Sequence, residues 1–234
     1  MAFNRAVLPK IMPESQLLSA AIAGVGMNLS VRPAHDPNIE DTLLFAAELS
    51  MEHDDLRVLA LLVTWFGVHS AYVNADRLTK SVQSHASRRV RTLFAALAKW
   101  QSSDRRFARL ARLHRGTRVD LLSTGSDFQI RRHGEDERFA QGPLRVPANV
   151  LRDREADVLS PERLAGRHPT YRMRVTIGPS YRADMWAALE SDPSLTASAL
   201  ARRTYGSFAT AWAVKRDFSI SAIHRSESRD PSSR

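Results

Sequence analysis

The stretch Leu195–Phe218, "LTASALARRTYGSFATAWAVKRDF", decides how the C-terminal part of this 234-residue chain is expected to fold. It divides at Tyr205-Gly206 into two helical pieces, because glycine permits the positive φ that a tight turn needs. Thr196 is placed to cap the first piece, and Ser207 is placed to cap the second. The stretch also has a basic edge, formed by Arg202, Arg203, Lys215 and Arg216. A helix pair with a basic edge is therefore predicted.

The residues on either side of this stretch extend it to a small domain over 171–222. Another helix is predicted over 178–191, with Ser180 as its cap and Pro193 as its end. The run "FSISAI" from Phe218 onward is expected to be β-like, and 223–234 to be a disordered tail. Helical spacing predicts a set of core side chains: Met185, Trp186, Leu189, Leu200, Ala201, Phe208, Ala211, Trp212 and Phe218.

From residue 178 onward the sequence contains, in this order, Gly178, Arg182, a predicted helix, the stretch "LTASALARRTYGS" and an amphipathic helix. This order resembles the helix-turn-helix of bacterial winged-helix regulators, among them antitoxin-like regulators. The resemblance covers about residues 178–220, with Tyr205 where the turn glycine is expected and the glycine one residue later. It implies that the second helix of the pair lies in the major groove of DNA. The residues that it places at base edges or phosphates are Thr196, Ser207, Phe208, Thr210 and Ala211. The residues that it implies as phosphate neutralisers are Arg202, Arg203, Lys215 and Arg216.

The charge balance favours an acidic partner. The formal net charge is +9, which favours nucleic acid first and anionic lipid second. Thirty of the 34 basic residues are arginine, whose planar guanidinium suits phosphate groups and guanine edges. A coding preference for arginine explains the same bias.

The charges are also segregated along the chain. Between Arg88 and Arg115 there are nine basic residues and one acid, and between Asp36 and Asp55 there are seven acids and no Lys or Arg. The three arginines that open this basic segment form a second candidate DNA contact: Arg88, Arg89 and Arg91. Alternatively, the two segments pair with each other, or the acidic one contacts a basic protein partner.

The N-terminal part is predicted to repeat the same order of elements. Residues 1–38 are predicted to form an arm and a short helix, and residues 39–139 a helical domain. Three helices of this part are predicted to be capped by Asn38, by Asp54 or Asp55, and by Asn74. Two apolar runs around Thr124-Gly125-Ser126 predict a β-hairpin within 117–139. The fold class is therefore mainly α, with two winged-helix-like units joined by a proline-rich linker over 140–170.

The segment 168–182, "HPTYRMRVTIGPSYR", interleaves cations and aromatic rings. Arg172, Arg174 and Arg182 alternate there with Tyr171 and Tyr181. Such a pattern can follow a phosphate backbone or stack on single-stranded bases. The alternative is a linker strand whose tyrosine rings pack on the C-terminal domain.

Few features favour an enzyme. The chain has no cysteine, which excludes disulfides, thiolate zinc sites and thiol catalysis, and it has neither a P-loop nor a G-x-G-x-x-G motif. The residues His35, His53, Asp54 and Asp76 are similar in order to the ligands of metal-dependent HD phosphohydrolases. That resemblance implies a hydrolase of nucleotides or nucleic acids, but His35 lies in a proline-flanked connector and Asp76 at a helix start.

The sequence as a whole predicts a cytoplasmic protein with no membrane segment. Its longest apolar run, Leu56–Val68, has 13 residues and contains Arg57, so it fits a buried helix. The predicted function is sequence-specific binding of double-stranded DNA by a homodimeric transcriptional regulator, with no catalytic residues, metal or cofactor. The alternative is an antitoxin or a defence-complex subunit that acts through a protein partner.

Overall fold

The computed structural model describes residues 15–227, and the side chains of 16–221. This part of the chain is mainly helical, as predicted, with twelve α-helices and two short strands. It divides into two compact units, the N-terminal unit (15–168) and the C-terminal unit (169–227). The predicted arm over 1–13 and the residues after 227 lie outside the described residues.

The N-terminal unit contains eight α-helices among its described residues. They are α1 (Ser15–Gly24), α2 (Ile39–Glu52), α3 (Leu56–His69), α4 (Ala75–Ser84), α5 (Arg88–Trp100), α6 (Ala108–Ala111), α7 (Ser126–His133) and α8 (Pro161–Ala165). The side chains of Asn38, Asp55 and Asn74 accept hydrogen bonds from backbone N–H groups at the starts of α2, α3 and α4. These three predicted caps are therefore confirmed.

Helix α2 is at the centre of the N-terminal core, because it packs against α1, α3, α4 and α5. Helix α3 adds an uninterrupted buried run that contains Trp65 and Phe66. The indole N–H of Trp65 donates to the carbonyl of Val25 over 2.7 Å, which ties α3 to the segment after α1. The apolar run of the sequence is thus a buried helix, as its length predicted.

The predicted β-hairpin within 117–139 is wrong. Strand β1 (Val119–Asp120) pairs in parallel with β2 (Leu144–Arg145), and α7 begins directly after Gly125, which has a φ of +77°. The charge order of this segment suits a helix, because Asp127 lies in the first turn of α7 and its basic residues lie in the last turn. The glycine turn at Thr124-Gly125-Ser126 is present, but it leads into a helix instead of a second strand.

The stretch that was predicted as a linker, 140–170, largely belongs to the N-terminal unit. Its buried side chains include Leu144, Val146, Leu151 and Leu164. The ring of His168 is also buried, where Nδ1 lies 2.8 Å from a carboxylate oxygen of Asp36 and Nε2 donates to the carbonyl of Pro37 over 3.0 Å. The prolines of 140–170 predicted an exposed linker. Most of this stretch is instead folded within the N-terminal unit, although it contains few helices or strands.

The C-terminal unit consists of four helices in the described residues. They are α9 (Pro169–Ile177), α10 (Tyr181–Ser191), α11 (Ala197–Thr204) and α12 (Phe208–Glu227). Their core is formed by Met185, Ala188, Leu189, Leu200, Ala211 and Val214.

No wing follows the helix pair in the described part of the C-terminal unit. The run "FSISAI", predicted to be β-like, lies inside α12, and the helix continues through 223–227 of the predicted tail. Neither glycine nor proline interrupts 208–227, so nothing in the sequence ends the helix there. The hydroxyls of Ser219 and Ser221 donate to the carbonyls of Lys215 and Phe218, which satisfies their hydrogen-bonding groups within the helix.

Candidate nucleic-acid interface

Helices α11 and α12 are joined by the three-residue turn Tyr205–Ser207. The hydroxyl of Thr196 accepts the N–H of Ala199 over 3.1 Å, and that of Ser207 accepts the N–H of Thr210 over 3.1 Å. Both predicted caps of the helix pair are confirmed. The length of the turn is that of a helix-turn-helix connection.

The residue with left-handed backbone in this turn is Tyr205, with φ 57° and ψ 21°. Its N–H donates to the carbonyl of Arg202, and the N–H of Gly206 donates to that of Ala201. This pair of hydrogen bonds is the Schellman arrangement that ends many helices. The predicted positive φ at Gly206 is wrong, and Tyr205 adopts it in the place where the turn glycine is expected.

One face of α12 is packed, and another face carries exposed apolar side chains. Ala211 and Val214 are fully buried, and Phe218 contacts the ring of Trp186 edge-on at 5.4 Å between centroids. By contrast, three large apolar side chains are exposed by 41%, 56% and 56%, namely those of Phe208, Trp212 and Ile220. The prediction that Phe208 and Trp212 belong to the core is therefore wrong.

The exposed apolar residues lie along a single stripe. Positions 208, 212, 216 and 220 are four residues apart, so their side chains lie on one side of the helix. The guanidinium of Arg216 lies over the indole of Trp212, with 5.7 Å between the guanidinium carbon and the ring centroid. We call these four residues the α12 stripe.

Arg202 and Arg203 are two cations of the helix pair without an ion pair, although the charge of Arg203 helps to lower the pKa of Asp192 after the hydrogen bonds from Ser194. Both are exposed in the last turn of α11, and neither guanidinium forms a hydrogen bond or an ion pair with the side chains and backbone described for residues 16–221. Lys215 differs, because its ammonium group donates to the carbonyl of Leu195 over 2.5 Å. Two of the four predicted phosphate contacts are therefore open to a ligand, and Lys215 stabilises the fold.

The fourth predicted phosphate contact, Arg216, shares an acid with Arg182. The carboxylate of Asp217 lies 2.7 Å from the guanidinium of Arg182 and 3.0 Å from that of Arg216. The hydrogen bonds from Arg182 and then Arg216 lower the pKa of Asp217. Asp217 is thus ionised at neutral pH, and its two arginines leave this patch with a net positive charge.

The residues predicted at base edges have different roles in the structure. The hydroxyls of Ser207 and Thr210 are hydrogen-bonded to each other over 2.7 Å, and the side chain of Ala211 is buried in the core. Phe208 differs from these three residues, because its side chain is exposed at the start of α12. Its exposure was missed because helical spacing does not show which face of α12 packs against α10 and α11. The cap Thr196 is likewise exposed at the start of α11.

The second predicted contact, at the start of α5, is mostly occupied by backbone carbonyls. Arg89 donates to Met51 and Leu121 over 3.1 and 2.6 Å. Arg91 donates to the carbonyls of His85 and Ala86. Arg88 is exposed, and its guanidinium has no hydrogen bond or ion pair within the described part of the chain. Arg89 and Arg91 therefore fix neighbouring segments of the N-terminal unit.

The acidic segment 36–55 is used largely within its own unit. Arg77 lies 2.9 Å from Asp41 and 3.7 Å from Glu40, and all three residues are buried. Among the described ion pairs, only that between Arg89 and Asp54, at 3.7 Å, joins this segment to 88–115. The acids therefore pair mainly with residues outside the basic segment.

Segment 168–182 is helical rather than extended. Tyr171 and Arg174 are buried in the C-terminal unit. The guanidinium of Arg174 donates twice to Asp184, over 2.7 Å from Nε and 2.9 Å from the second nitrogen. Arg174 is therefore part of the core of this unit, a role that the sequence pattern did not indicate.

The described residues give no support to a metal site. Within 15–227, no three His, Asp or Glu side chains are grouped so that they could hold a metal ion. Asp76 pairs with Lys80 and Arg109, and Asp54 lies beside Arg89.

No protein-family model matches the chain, and no curated protein or solved structure is significantly similar to it. Among the helices of the described residues, none combines the length and apolar character that crossing a bilayer would require.

Proposed function

We propose that this protein is a cytoplasmic, sequence-specific double-stranded DNA-binding protein, acting as a transcriptional regulator through α11 and α12, with no catalytic role. One observation carries the proposal: a three-residue turn joins α12, which has exposed side chains, to a helix that ends in Arg202 and Arg203, two exposed arginines without ion pairs among the described residues. A helix-turn-helix needs this combination of a fixed turn, an exposed second helix and nearby cations.

The expected docking follows from the positions of these groups. The N-terminal turns of α12 enter the major groove, and Arg202 and Arg203 contact phosphates beside it. Each neutralised phosphate releases counterions, so the affinity depends on salt concentration.

The charge of the C-terminal unit supports this docking. Between residues 169 and 221 there are seven Arg or Lys and four Asp or Glu. The buried pair of Arg174 and Asp184 is internally neutral, so the excess of basic charge resides on the remaining, more exposed groups. A positive surface around an exposed helix favours DNA over a neutral ligand.

We place the C-terminal unit with the helix-turn-helix folds on the strength of its turn. A homodimer is the expected assembly, because two copies of α12 can then read two half-sites of a palindromic operator. Arg88 is the residue of the N-terminal unit that we propose as an additional phosphate contact.

A protein partner is a second candidate, and one observation favours it. The α12 stripe exposes Phe208, Trp212 and Ile220, and exposed apolar surface often marks a protein interface. An antitoxin or a defence-complex subunit would use such a surface. Co-purification of a second polypeptide that is lost in a Trp212→Ala variant would support this candidate.

Duplex binding at two salt concentrations tests the main proposal. The full chain is titrated with duplex from its own upstream region and with unrelated duplex, at roughly 50 and 200 mM salt. Tight, selective binding that persists at the higher salt is expected. Weak binding that is equal on both duplexes and lost at the higher salt would overturn sequence-specific recognition.

A further inference from the structure

We propose that α12 reads bases by apolar contact, and that its ligand is duplex DNA with thymine C5-methyl groups in the major groove at the site. This inference rests on the proposed function and names the base chemistry that the helix recognises.

The first two turns of α12 present an almost wholly apolar surface. Phe208, Ala209 and Trp212 are exposed there, and Ala213 is half-buried beside them. The indole N–H of Trp212 is the single hydrogen-bonding group among these four side chains. A surface of this kind offers shape and apolar area to the floor of the groove.

The polar side chains next to this surface have partners within the protein. Ser207 and Thr210 bond to each other, and Lys215 bonds to the carbonyl of Leu195. Arg216 lies one turn beyond Trp212 and pairs with Asp217. In addition, residues 207–213 contain no Asn, Gln or Arg, which are the side chains that read adenine or guanine through two hydrogen bonds.

Thymine is the standard base that matches such a surface. Its C5-methyl group is the one apolar group that the base pairs present in the major groove, and apolar side chains contact it in direct readout. Charge complementarity favours DNA over an apolar protein surface, because the unpaired Arg202 and Arg203 end the preceding helix. Burial of one methyl group is expected to change the affinity roughly fourfold.

The test begins with selection of duplexes from a randomised pool by the full chain. The selected duplex is then synthesised with thymine and with deoxyuridine, which lacks only the methyl group, and binding is followed by fluorescence anisotropy. The thymine duplex should bind more tightly by roughly fourfold for each contacted methyl. Returning thymine one position at a time should restore affinity at the contacted positions alone.

Variants connect the effect to α12. Phe208→Ala and Trp212→Ala should bring the ratio of thymine to deoxyuridine affinity toward one without changing the salt dependence. Ile220→Ala is the matched control, because it removes an exposed apolar side chain from the same stripe two turns beyond Trp212. The control should keep the wild-type ratio, and circular dichroism should show unchanged helix content in all three.

The outcomes separate this inference from the function on which it rests. Selective duplex binding with equal affinity for thymine and deoxyuridine would overturn the inference alone. Failure to select any sequence would overturn the proposed function. A wild-type dimer that becomes a monomer in Trp212→Ala, with an unchanged thymine ratio, would show that a second copy covers this face and would overturn the inference.

Discussion

The Met185 side chain ends where a Cβ of residue 206 would be, since a Cβ built on Gly206 lies 2.2 Å from the Cε of Met185. Met185 is fully buried in the core of the C-terminal unit. A side chain at residue 206 would therefore displace the flexible end of Met185, whereas the left-handed conformation of the turn belongs to Tyr205.

Gly206→Ala should destabilise the C-terminal unit by about 1 kcal/mol, because the added methyl displaces the end of the buried Met185 side chain. Met185→Leu in the same chain shortens the opposing side chain and should recover much of this loss. Urea denaturation of both single variants and the double variant measures the coupling. Strictly additive effects would show that the two side chains do not compete for this space.

Local chemistry was the part of the fold that the sequence could predict. The caps at Asn38, Asp55, Asn74, Thr196 and Ser207 were predictable because a capping side chain bonds to a backbone N–H only two or three residues away. The buried helix α3 was predictable from an uninterrupted apolar run.

Tertiary packing was the part that it could not predict. Small Ala211 is buried while large Trp212 is exposed, because the direction of a side chain on α12 depends on where α10 and α11 lie. Tertiary packing also decides which arginine side chains are left without a partner in the protein. Arg89 is held by carbonyls 38 and 32 residues away in sequence, whereas Arg202 has no such partner within the described residues.

The buried pair of Arg174 and Asp184 should be a strong determinant of C-terminal stability. Asp184→Asn removes the negative charge that lies 2.7 Å from the buried guanidinium of Arg174 and is expected to cost about 3–5 kcal/mol. Replacement of both residues by apolar side chains of similar size should cost much less. Thermal or urea unfolding of the three chains distinguishes an uncompensated charge from lost packing.

The matched control is the exposed pair of Arg172 and Glu190, whose charged groups are 3.5 Å apart. Glu190→Gln should change the unfolding free energy by at most about 1 kcal/mol, since exposed ion pairs are screened by solvent. Equal losses in Glu190→Gln and Asp184→Asn would contradict the importance assigned to burial.

His69 should make the N-terminal unit sensitive to acid. Burial, opposed by the hydrogen bond to the carbonyl of Leu159, lowers its pKa from 6.5 to about 4. The unfolded chain therefore takes up this proton first as pH falls, so stability is full above about 6.5 and decreases down to about pH 4. The shift corresponds to a loss of roughly 3 kcal/mol at its lower end.

A His69→Gln variant isolates this contribution. Glutamine does not titrate, so the difference in unfolding free energy between wild type and variant should change across pH 6.5 to 4, and in favour of the variant toward acid. Denaturation at a series of pH values measures that difference. A difference that is constant with pH would rule out a lowered pKa at His69.

The unpaired arginines of α11 should set the salt dependence of DNA binding. Arg202→Ala and Arg203→Ala should each weaken binding to all duplexes, and each should reduce the slope of log K against log salt by about 0.9 if it removes one phosphate contact. Arg172→Ala removes the same charge from a residue already paired with Glu190 and should leave the slope nearly unchanged. Affinity measured from roughly 50 to 200 mM salt compares the three variants, and equal slopes would assign the effect to net charge instead of to α11.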